Sequence, residues 1–573
     1  MRALQLYLCA VTVAFFSVCH NVHGSEEWGS GRQLVALRGR KKVQVYNNPT
    51  AAAFSSDWTP IRVKLGKDFN SSTVTLCKLD WKKRAEVCCF SRKFLWQGLS
   101  SRCQMPHFDC LQTPATLPMF QDLIRVSKCN RVANRKMVTL AGMADVIEPW
   151  LKAEAAGKWN AEDPEFGQHA KNFPQLQPSG LIFHEMRVGS TLLSNMLQAA
   201  SGNLAYSESP PPMDIMRHST AERSVKVRAL RVVIAAMSRV SGFDRFYFKF
   251  QMVPFPEMYH MLWEAFPNTP WVYLFRRPED VMVSMFRMQA DRKLPTDIDA
   301  PCTRSQRRRP EPHVVTLLTE QHADVKRASR KEFCAAYLAT LNWASIEAMA
   351  QATKQKLATP AGWFLHYNSL KPMARTVITQ LFKTELNDEQ WHNVNATASV
   401  YSKSRGKKAE AATKEFGTDN KRKSEVLTDE VIWFTSKYLY SQYGELLELA
   451  RALPGLPQEQ KTYLGQEGEW LTGGGSKSKM QDTTKWEALE KARLTGGQVQ
   501  AAAASTASQG KPVGGKPRDS WTKPPPEKQK EKEAVEGAAA DGSTAEGAAA
   551  GGADNGQDAK SAKQAKRSAA TKE

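Results

Sequence analysis

The chain has 573 residues, enough for more than one domain, and Lys and Arg outnumber Asp and Glu 79 to 58, which gives a formal net charge of +21. This basic balance favours an anionic partner. It would also suit nucleic acid, but the sequence has no zinc-finger spacing or other recognised nucleic-acid-binding module, so we expect no nucleic-acid partner.

The N-terminal residues 1–24 have the pattern of a targeting segment. An apolar run from Ala3 to Cys19 is followed by the small residue Gly24 before Ser25. This pattern is typical of a cleaved signal peptide, and the run is short for a membrane span. An uncleaved anchor is the alternative, and only that alternative would place the chain on a membrane. In both cases the sequence predicts the secretory pathway, either the Golgi lumen or secretion.

Residues 40–135 are predicted to form a small β-rich module, because short runs such as 61–65 and 73–76 alternate between apolar and polar side chains. The module holds an even cluster of six cysteines, which is typical of disulfides in an oxidising compartment. These cysteines are Cys77, Cys88, Cys89, Cys103, Cys110 and Cys129. Zinc binding is disfavoured, since the cluster has no paired C-x-x-C spacing. Asn70, beside the cluster, and Asn395 each begin an N-glycosylation sequon.

The main domain, predicted at residues 137–455, contains an apolar strand at 181–183 that leads into a polar turn and then a helix. Such a unit can cradle a phosphate, because the free N–H groups of the first helical turn and the helix dipole both favour an anion. Glycine lets the backbone approach closely, arginine brings a permanent charge, and hydroxyls add donors. The candidate phosphate-binding residues are Arg187, Val188, Gly189, Ser190 and Thr191.

This loop differs from that of nucleotide triphosphatases, which has the pattern G-x-x-x-x-G-K-[ST]. His184 stands where that pattern has its first glycine, and Ser190 stands where it has its lysine. The missing lysine disfavours a P-loop kinase and favours a simpler 5′-phosphate site. An ordinary strand-to-helix turn is the alternative for this loop taken alone.

A second unit of the same kind lies further along the chain. The apolar strand 271–275 runs into Arg276, and a helix follows with Pro278 early in it and Ser284 about two turns further on. Parallel α/β sheets place ligands at the carboxyl ends of their strands. We therefore expect Arg276 and Ser284 to face one anion at that edge.

Together the two units resemble the motifs of the sulfotransferase family. Its members have a P-loop-type α/β fold, a three-layer α/β/α arrangement around a parallel sheet, and use 3′-phosphoadenosine 5′-phosphosulfate. Residues 187–191 are similar to the family's 5′-phosphosulfate loop. Arg276 and Ser284 match the leading Arg and trailing Ser that hold the 3′-phosphate in the family's second motif. The resemblance covers about residues 165–450 and implies the same donor for this chain.

Two further stretches carry the resemblance. Residues 183–191 together with 207–212 are most similar to sulfotransferase-like proteins of algae and related protists. The apolar run beginning at Gly362 resembles a late family strand that ends in a Tyr-Glu-x-Leu signature, with Asn368 where Glu is usual.

The resemblance also implies catalytic residues. Lys249, on the predicted third strand, matches the family lysine that stabilises the leaving group. Many cytosolic relatives have Lys-x-His there, whereas this chain has Gln251, which is not a useful base. Glu208 stands where tyrosylprotein-type members carry a catalytic Glu, so Glu208 is the expected base, with Glu185 and His184 as second choices. The alternative for Glu208 is a structural carboxylate paired with Lys249 or an arginine.

The acceptor is expected to be a carbohydrate hydroxyl, with tyrosine second. An insertion at about 289–330 carries Arg304 and 307–309, which would bind a polyanionic glycan, although a solvated loop is the alternative. Cys302 and Cys334 bracket this loop and would form a disulfide that closes it. No metal is expected, because sulfuryl transfer from this donor needs none. The rival function is a non-catalytic secreted polyanion-binding protein on the same fold.

The C-terminal residues 464–573 are rich in Gly, Ala, Lys, Ser and Gln. Such a composition cannot bury enough apolar surface to offset chain entropy. The sequence therefore predicts a disordered low-complexity tail, which would act as a linker or a weak polyanion-binding segment.

Overall fold

The computed structural model describes residues 45–46, 58–79, 119–291, 302, 310–321, 323, 325–357, 359–399, 427–472 and 488. The leader, four of the six clustered cysteines, the arginines of the insertion and, apart from residue 488, the tail after Thr472 lie outside these ranges. The described residues before residue 500 belong to one compact unit. Among them, no helix is long and apolar enough to cross a membrane.

Four strands form an N-terminal sheet: β1 (Val45–Tyr46), β2 (Trp58–Lys64), β3 (Thr73–Lys78) and β4 (Arg135–Thr139). Their order is β1-β4-β3-β2, with β3 antiparallel to both β2 and β4, and β1 parallel to β4. A disulfide joins Cys77 on β3 to Cys129, with their Cα atoms 5.7 Å apart. Disulfide formation in the cysteine cluster is therefore confirmed for this pair.

Five parallel strands form the central sheet: β5 (Gly180–His184), β6 (Asn203–Ser207), β7 (Arg245–Lys249), β8 (Trp271–Phe275) and β9 (Gly362–His366). Their order is β6-β7-β5-β8-β9. Every residue of β5, β6 and β8 is buried, as expected for short apolar strands covered on both faces. The prediction of an α/β protein with a parallel sheet is confirmed.

Helices connect and cover these strands. The α-helices of six residues or more in the described ranges are α1 (Phe120–Val126), α2 (Leu140–Ala155), α3 (Gly167–Asn172), α4 (Ser190–Ala199), α5 (Pro210–Met216), α6 (Arg223–Met237), α7 (Pro256–Ala265), α8 (Pro278–Asp291), α9 (Pro312–Glu320), α10 (Arg330–Lys354), α11 (Asp388–Ala398), α12 (Asp429–Tyr438), α13 (Tyr440–Arg451) and α14 (Gln458–Thr472). A 3₁₀ turn, Tyr367–Ser369, follows β9. The disulfide expected between Cys302 and Cys334 is present and ties residue 302 to the first turns of α10.

The N-terminal sheet is joined to the main domain rather than set apart from it. Asp214 on α5 accepts hydrogen bonds from the Arg62 guanidinium and the Val63 amide of β2, at 3.0 and 3.1 Å. The buried side chains of this sheet belong to the same hydrophobic core as those of the central sheet. β4 also crosses the predicted boundary between residues 40–135 and 137–455.

Helix α14 extends past residue 464, where the low-complexity tail was predicted to begin. Leu464 is fully buried and Glu467 is 5% exposed. Residues up to Thr472 therefore belong to the folded domain. The composition of residues 464–573 does not reveal this helix, because the glycine-rich segment that follows it dominates the average composition of the whole stretch.

Candidate active site

The predicted phosphate loop lies between β5 and α4. Gly189 is the N-cap of α4 and has a φ of 80°, in the left-handed region. A Cβ atom at this position would lie 2.9 Å from the ring of Tyr367, so both the conformation and the space require glycine. Gly189 has no side chain with which to cap this helix start. The first turn of α4, with Ser190 and Thr191, thus presents N–H groups suited to an anion.

The two predicted phosphate motifs meet at Arg187. This residue is also left-handed, with a φ of 66°. Its Nε atom donates a hydrogen bond of 2.8 Å to the Oγ of Ser284 on α8. Val188, by contrast, is fully buried in the core and contributes only its backbone to the loop. A non-glycine residue held in the left-handed region at such a site is a recurrent feature of functional loops.

Arg276 follows β8 directly, and its side chain is held from two directions. Its Nε donates to Asp280 at 3.1 Å, and its guanidinium lies 4.0 Å from the centroid of the Tyr367 ring. The structure thus bonds Ser284 to Arg187, while Arg276 is paired with Asp280. The two residues expected to share one anion have separate protein partners here.

Glu185 ties the phosphate loop to the second motif. Its Oε1 accepts from the backbone N–H of Arg276 at 2.7 Å, and its Oε2 accepts from the Asn342 side chain of α10 at 3.0 Å. Burial raises the pKa of the Glu185 carboxyl to about 8, against the lowering effect of these hydrogen bonds. Because both oxygens are engaged in the interior, Glu185 is placed to hold the loop rather than to take a proton from a substrate.

The two predicted catalytic residues are in direct contact. Ser207 of β6 is in register with Lys249 of β7, so Glu208, the next residue, lies beside the lysine at the carboxyl edge of the sheet. The Lys249 Nζ atom is 2.9 Å from Oε1 of Glu208 and donates to the Thr191 Oγ1 at 3.2 Å. Lys249 is fully buried, whereas the Glu208 side chain is 18% exposed. Pairing is what allows an ammonium ion to be buried.

His184, at the end of β5, is close to the same carboxylate. Its Nε2 lies 3.9 Å from Oε1 of Glu208. Its Nδ1 donates to the backbone carbonyl of Glu185, which leaves the Nε2 side of the ring toward the carboxylate. Of the two residues named as second choices for the base, His184 faces Glu208, whereas the carboxylate of Glu185 is bonded to Arg276 and Asn342.

Two contacts of this site were not anticipated from the sequence: those of Tyr367 and Asn342. Tyr367 directly follows β9, in the stretch that resembles the late family strand, so the sequence did offer an indication of its position. Asn342 lies within a long helix, and nothing in its local pattern indicates a partner on β5. Among the described residues, no group of His, Cys, Asp and Glu is arranged to hold a metal ion.

Comparisons with known proteins give a distant likeness only. No protein-family model and no curated protein matches the chain. A sulfotransferase from Alicyclobacillus acidocaldarius is similar in structure at 12% identity and a TM-score of 0.24, over 46% of this chain and 94% of that one. The sulfotransferase domain from the curacin biosynthetic pathway is similar at 15% identity and 0.24, over 51% and 97%. At these TM-scores the likeness assigns no function.

Proposed function

We propose that the protein is a sulfotransferase that moves the sulfuryl group of 3′-phosphoadenosine 5′-phosphosulfate (PAPS) to an acceptor hydroxyl. One observation supports this most. Buried Lys249 contacts both Glu208 and Thr191, so a cation, a carboxylate and a helix start suited to phosphate share one edge of the sheet. Sulfuryl transfer needs these three elements together.

The residues present fit the donor. The start of α4, where Gly189 brings no capping side chain, and the close backbone approach at Gly189 suit its 5′-phosphate, and Arg187 adds a fixed positive charge. Arg276 and Ser284 would hold the 3′-phosphate, each exchanging a protein partner for the ligand. The donor brings its own reactive group, so we propose no metal.

The reaction would balance as an in-line displacement. The acceptor oxygen forms a bond to sulfur while the bond from sulfur to the bridging oxygen of the donor breaks. The acceptor proton goes to the carboxylate of Glu208. The negative charge that develops on the departing phosphate is stabilised by Lys249, whose Nζ turns from Glu208 toward that oxygen.

The proposal extends to the acceptor and the cellular compartment. The net charge of +21 supports an anionic glycan as acceptor. The position of Glu208 supports protein tyrosine as the second choice. The disulfides Cys77–Cys129 and Cys302–Cys334 support an oxidising compartment, in line with Golgi residence or secretion.

A transfer assay tests the proposal. The full chain is incubated with PAPS labelled in its sulfuryl group and with either desulfated glycans or tyrosine peptides, with and without a chelator. We expect label in one acceptor class and no loss with chelator. Label in neither class, from folded protein that binds the donor, would favour the rival function of a non-catalytic polyanion-binding protein, which Gln251 in place of a histidine motivates.

A further inference from the structure

A second polar cluster lies at the same edge of the sheet, under helix α14. The buried carboxylate of Glu467 accepts four hydrogen bonds. Two come from Arg277, at 2.7 and 3.2 Å, one from Tyr463 at 2.9 Å and one from Tyr443 at 3.2 Å. A carboxylate has about four acceptor positions, so the capacity of Glu467 is filled.

The charge state of this cluster is defined by its surroundings. Burial alone would raise the pKa of Glu467, but the hydrogen bonds and the charge of Arg277 outweigh it and hold that pKa below its usual range. Burial lowers the pKa of the neighbouring His366 to about 3, so this imidazole stays neutral. Glu467 and Arg277 therefore form an ionised, bidentate pair, the strongest geometry for such a pair.

The cluster reaches the donor site through two chain neighbours. Arg277 directly follows Arg276, and Asn368 directly follows Tyr367. The Asn368 side chain donates to the Tyr463 hydroxyl, which in turn donates to Glu467. Helix α14 thus holds the residue next to each member of the Arg276–Tyr367 contact.

That contact is central to the donor site. The ring of Tyr367 lies over the Arg276 guanidinium at 4.0 Å and also limits the space at Gly189 in the phosphate loop. A shift of the segment after β8 or of the segment after β9 would change the Arg276–Tyr367 contact and the phosphate loop together. What fixes these two segments should therefore set the geometry of both phosphate sites.

We propose that Glu467 is a positioning residue for donor binding. Helix α14 would keep Arg276 and Tyr367 in contact by holding the residue that follows each of them, Arg277 and Asn368. Glu467 acts through Arg277 and Tyr463 and does not itself contact the donor. The proposal rests on the proposed function, because it assumes that Arg276 binds the 3′-phosphate of the donor.

The test compares Glu467→Gln with a matched control, Glu448→Gln. Glu448 is an exposed carboxylate on α13 whose partner is Arg451 three residues on. The dissociation constant of 3′,5′-bisphosphoadenosine, the donor and acceptor KM, the kcat and the Tm are measured for the full chain. We expect Glu467→Gln to weaken bisphosphate binding and raise the donor KM about tenfold, with kcat and acceptor KM unchanged, and Glu448→Gln to change none of these.

A double-mutant cycle separates positioning from general destabilisation. If Glu467 acts through Arg277, then Arg277→Gln combined with Glu467→Gln should weaken binding no more than either change alone. Tyr463→Phe keeps the ring and the Arg277–Glu467 pair but loses the Asn368 link. It should weaken donor binding less than Glu467→Gln does, and it remains informative if the charge variant folds poorly.

The outcomes are distinct. If the Glu467→Gln and Tyr463→Phe variants bind the bisphosphate as well as the wild-type protein does, the positioning role of Glu467 and α14 is overturned. The proposed function would then still stand. A lower Tm without a change in donor affinity would do the same. Folded wild-type protein that fails to bind the bisphosphate would contradict the proposed function and the role of Glu467 with it.

Discussion

Two ion pairs at the carboxyl edge of the central sheet have opposite burial. In the Lys249–Glu208 pair the cation is fully buried and the carboxylate is 18% exposed. In the Arg277–Glu467 pair the carboxylate is 5% exposed and the cation 35%. A carboxylate that takes a proton from a substrate must be reachable, whereas one that already accepts four hydrogen bonds is suited to holding neighbours in place. We therefore propose different roles for the two ion pairs, according to whether the carboxylate or the cation is the more exposed partner.

Removing the accessible carboxylate should have the largest effect. Glu208→Gln is expected to lower kcat at least about a hundredfold, because the acceptor proton loses its base. Bisphosphate affinity should remain within about threefold, since the amide keeps the shape of the side chain. This result is the reverse of that expected for Glu467→Gln. Turnover close to wild type in the labelled-transfer assay would remove Glu208 from the mechanism.

A change in the phosphate loop should have an intermediate effect. Gly189→Ala is expected to weaken bisphosphate binding and to destabilise the fold by about 1–3 kcal/mol, through its positive φ and the clash with Tyr367. The matched control is Gly242→Ala, because Gly242 has a φ of 86° and open space around its Cβ position. That variant should show only the strain, about 1 kcal/mol, with normal donor binding. Equal losses of bisphosphate affinity in the Gly189→Ala and Gly242→Ala variants would argue against a specific role of Gly189 in the phosphate loop.

The pH dependence of stability should show a smaller effect. The pKa of Glu185 rises from 4.5 to about 8 on folding, chiefly through burial. Between these values the folded state holds a proton that the unfolded state has released, so the free energy of unfolding falls as pH rises. Glu185→Gln cannot titrate and should flatten this decline in denaturant melts at about pH 5 and about pH 8, relative to Glu448→Gln. Parallel slopes in both variants would contradict the burial of a protonated carboxyl.

The site could be predicted from sequence where local pattern and sheet geometry combine. Glu208 and Lys249 each follow or end a short apolar strand, and parallel strands bring such positions together. The Gly189 turn has a local signature of its own. These features do not depend on knowing which distant residues pack against them.

The remaining contacts depend on long-range packing. Asn342 meets Glu185 from the middle of α10, and Glu467 lies in a stretch whose composition blends into a glycine-rich segment. Neither residue has a neighbour pattern that indicates its partner. Their roles follow from three-dimensional proximity, which one sequence does not contain.

The measurement that tests the central claim most directly is calorimetric titration of the full chain with 3′,5′-bisphosphoadenosine and, separately, with ATP. The account predicts bisphosphate binding that ATP does not match and that is lost in Arg276→Ala and Ser284→Ala but kept in Arg451→Ala, a change on the exposed face of α13. Absence of bisphosphate binding to folded protein, or binding unaffected by the two site variants, would contradict the donor site and with it the proposed sulfotransferase.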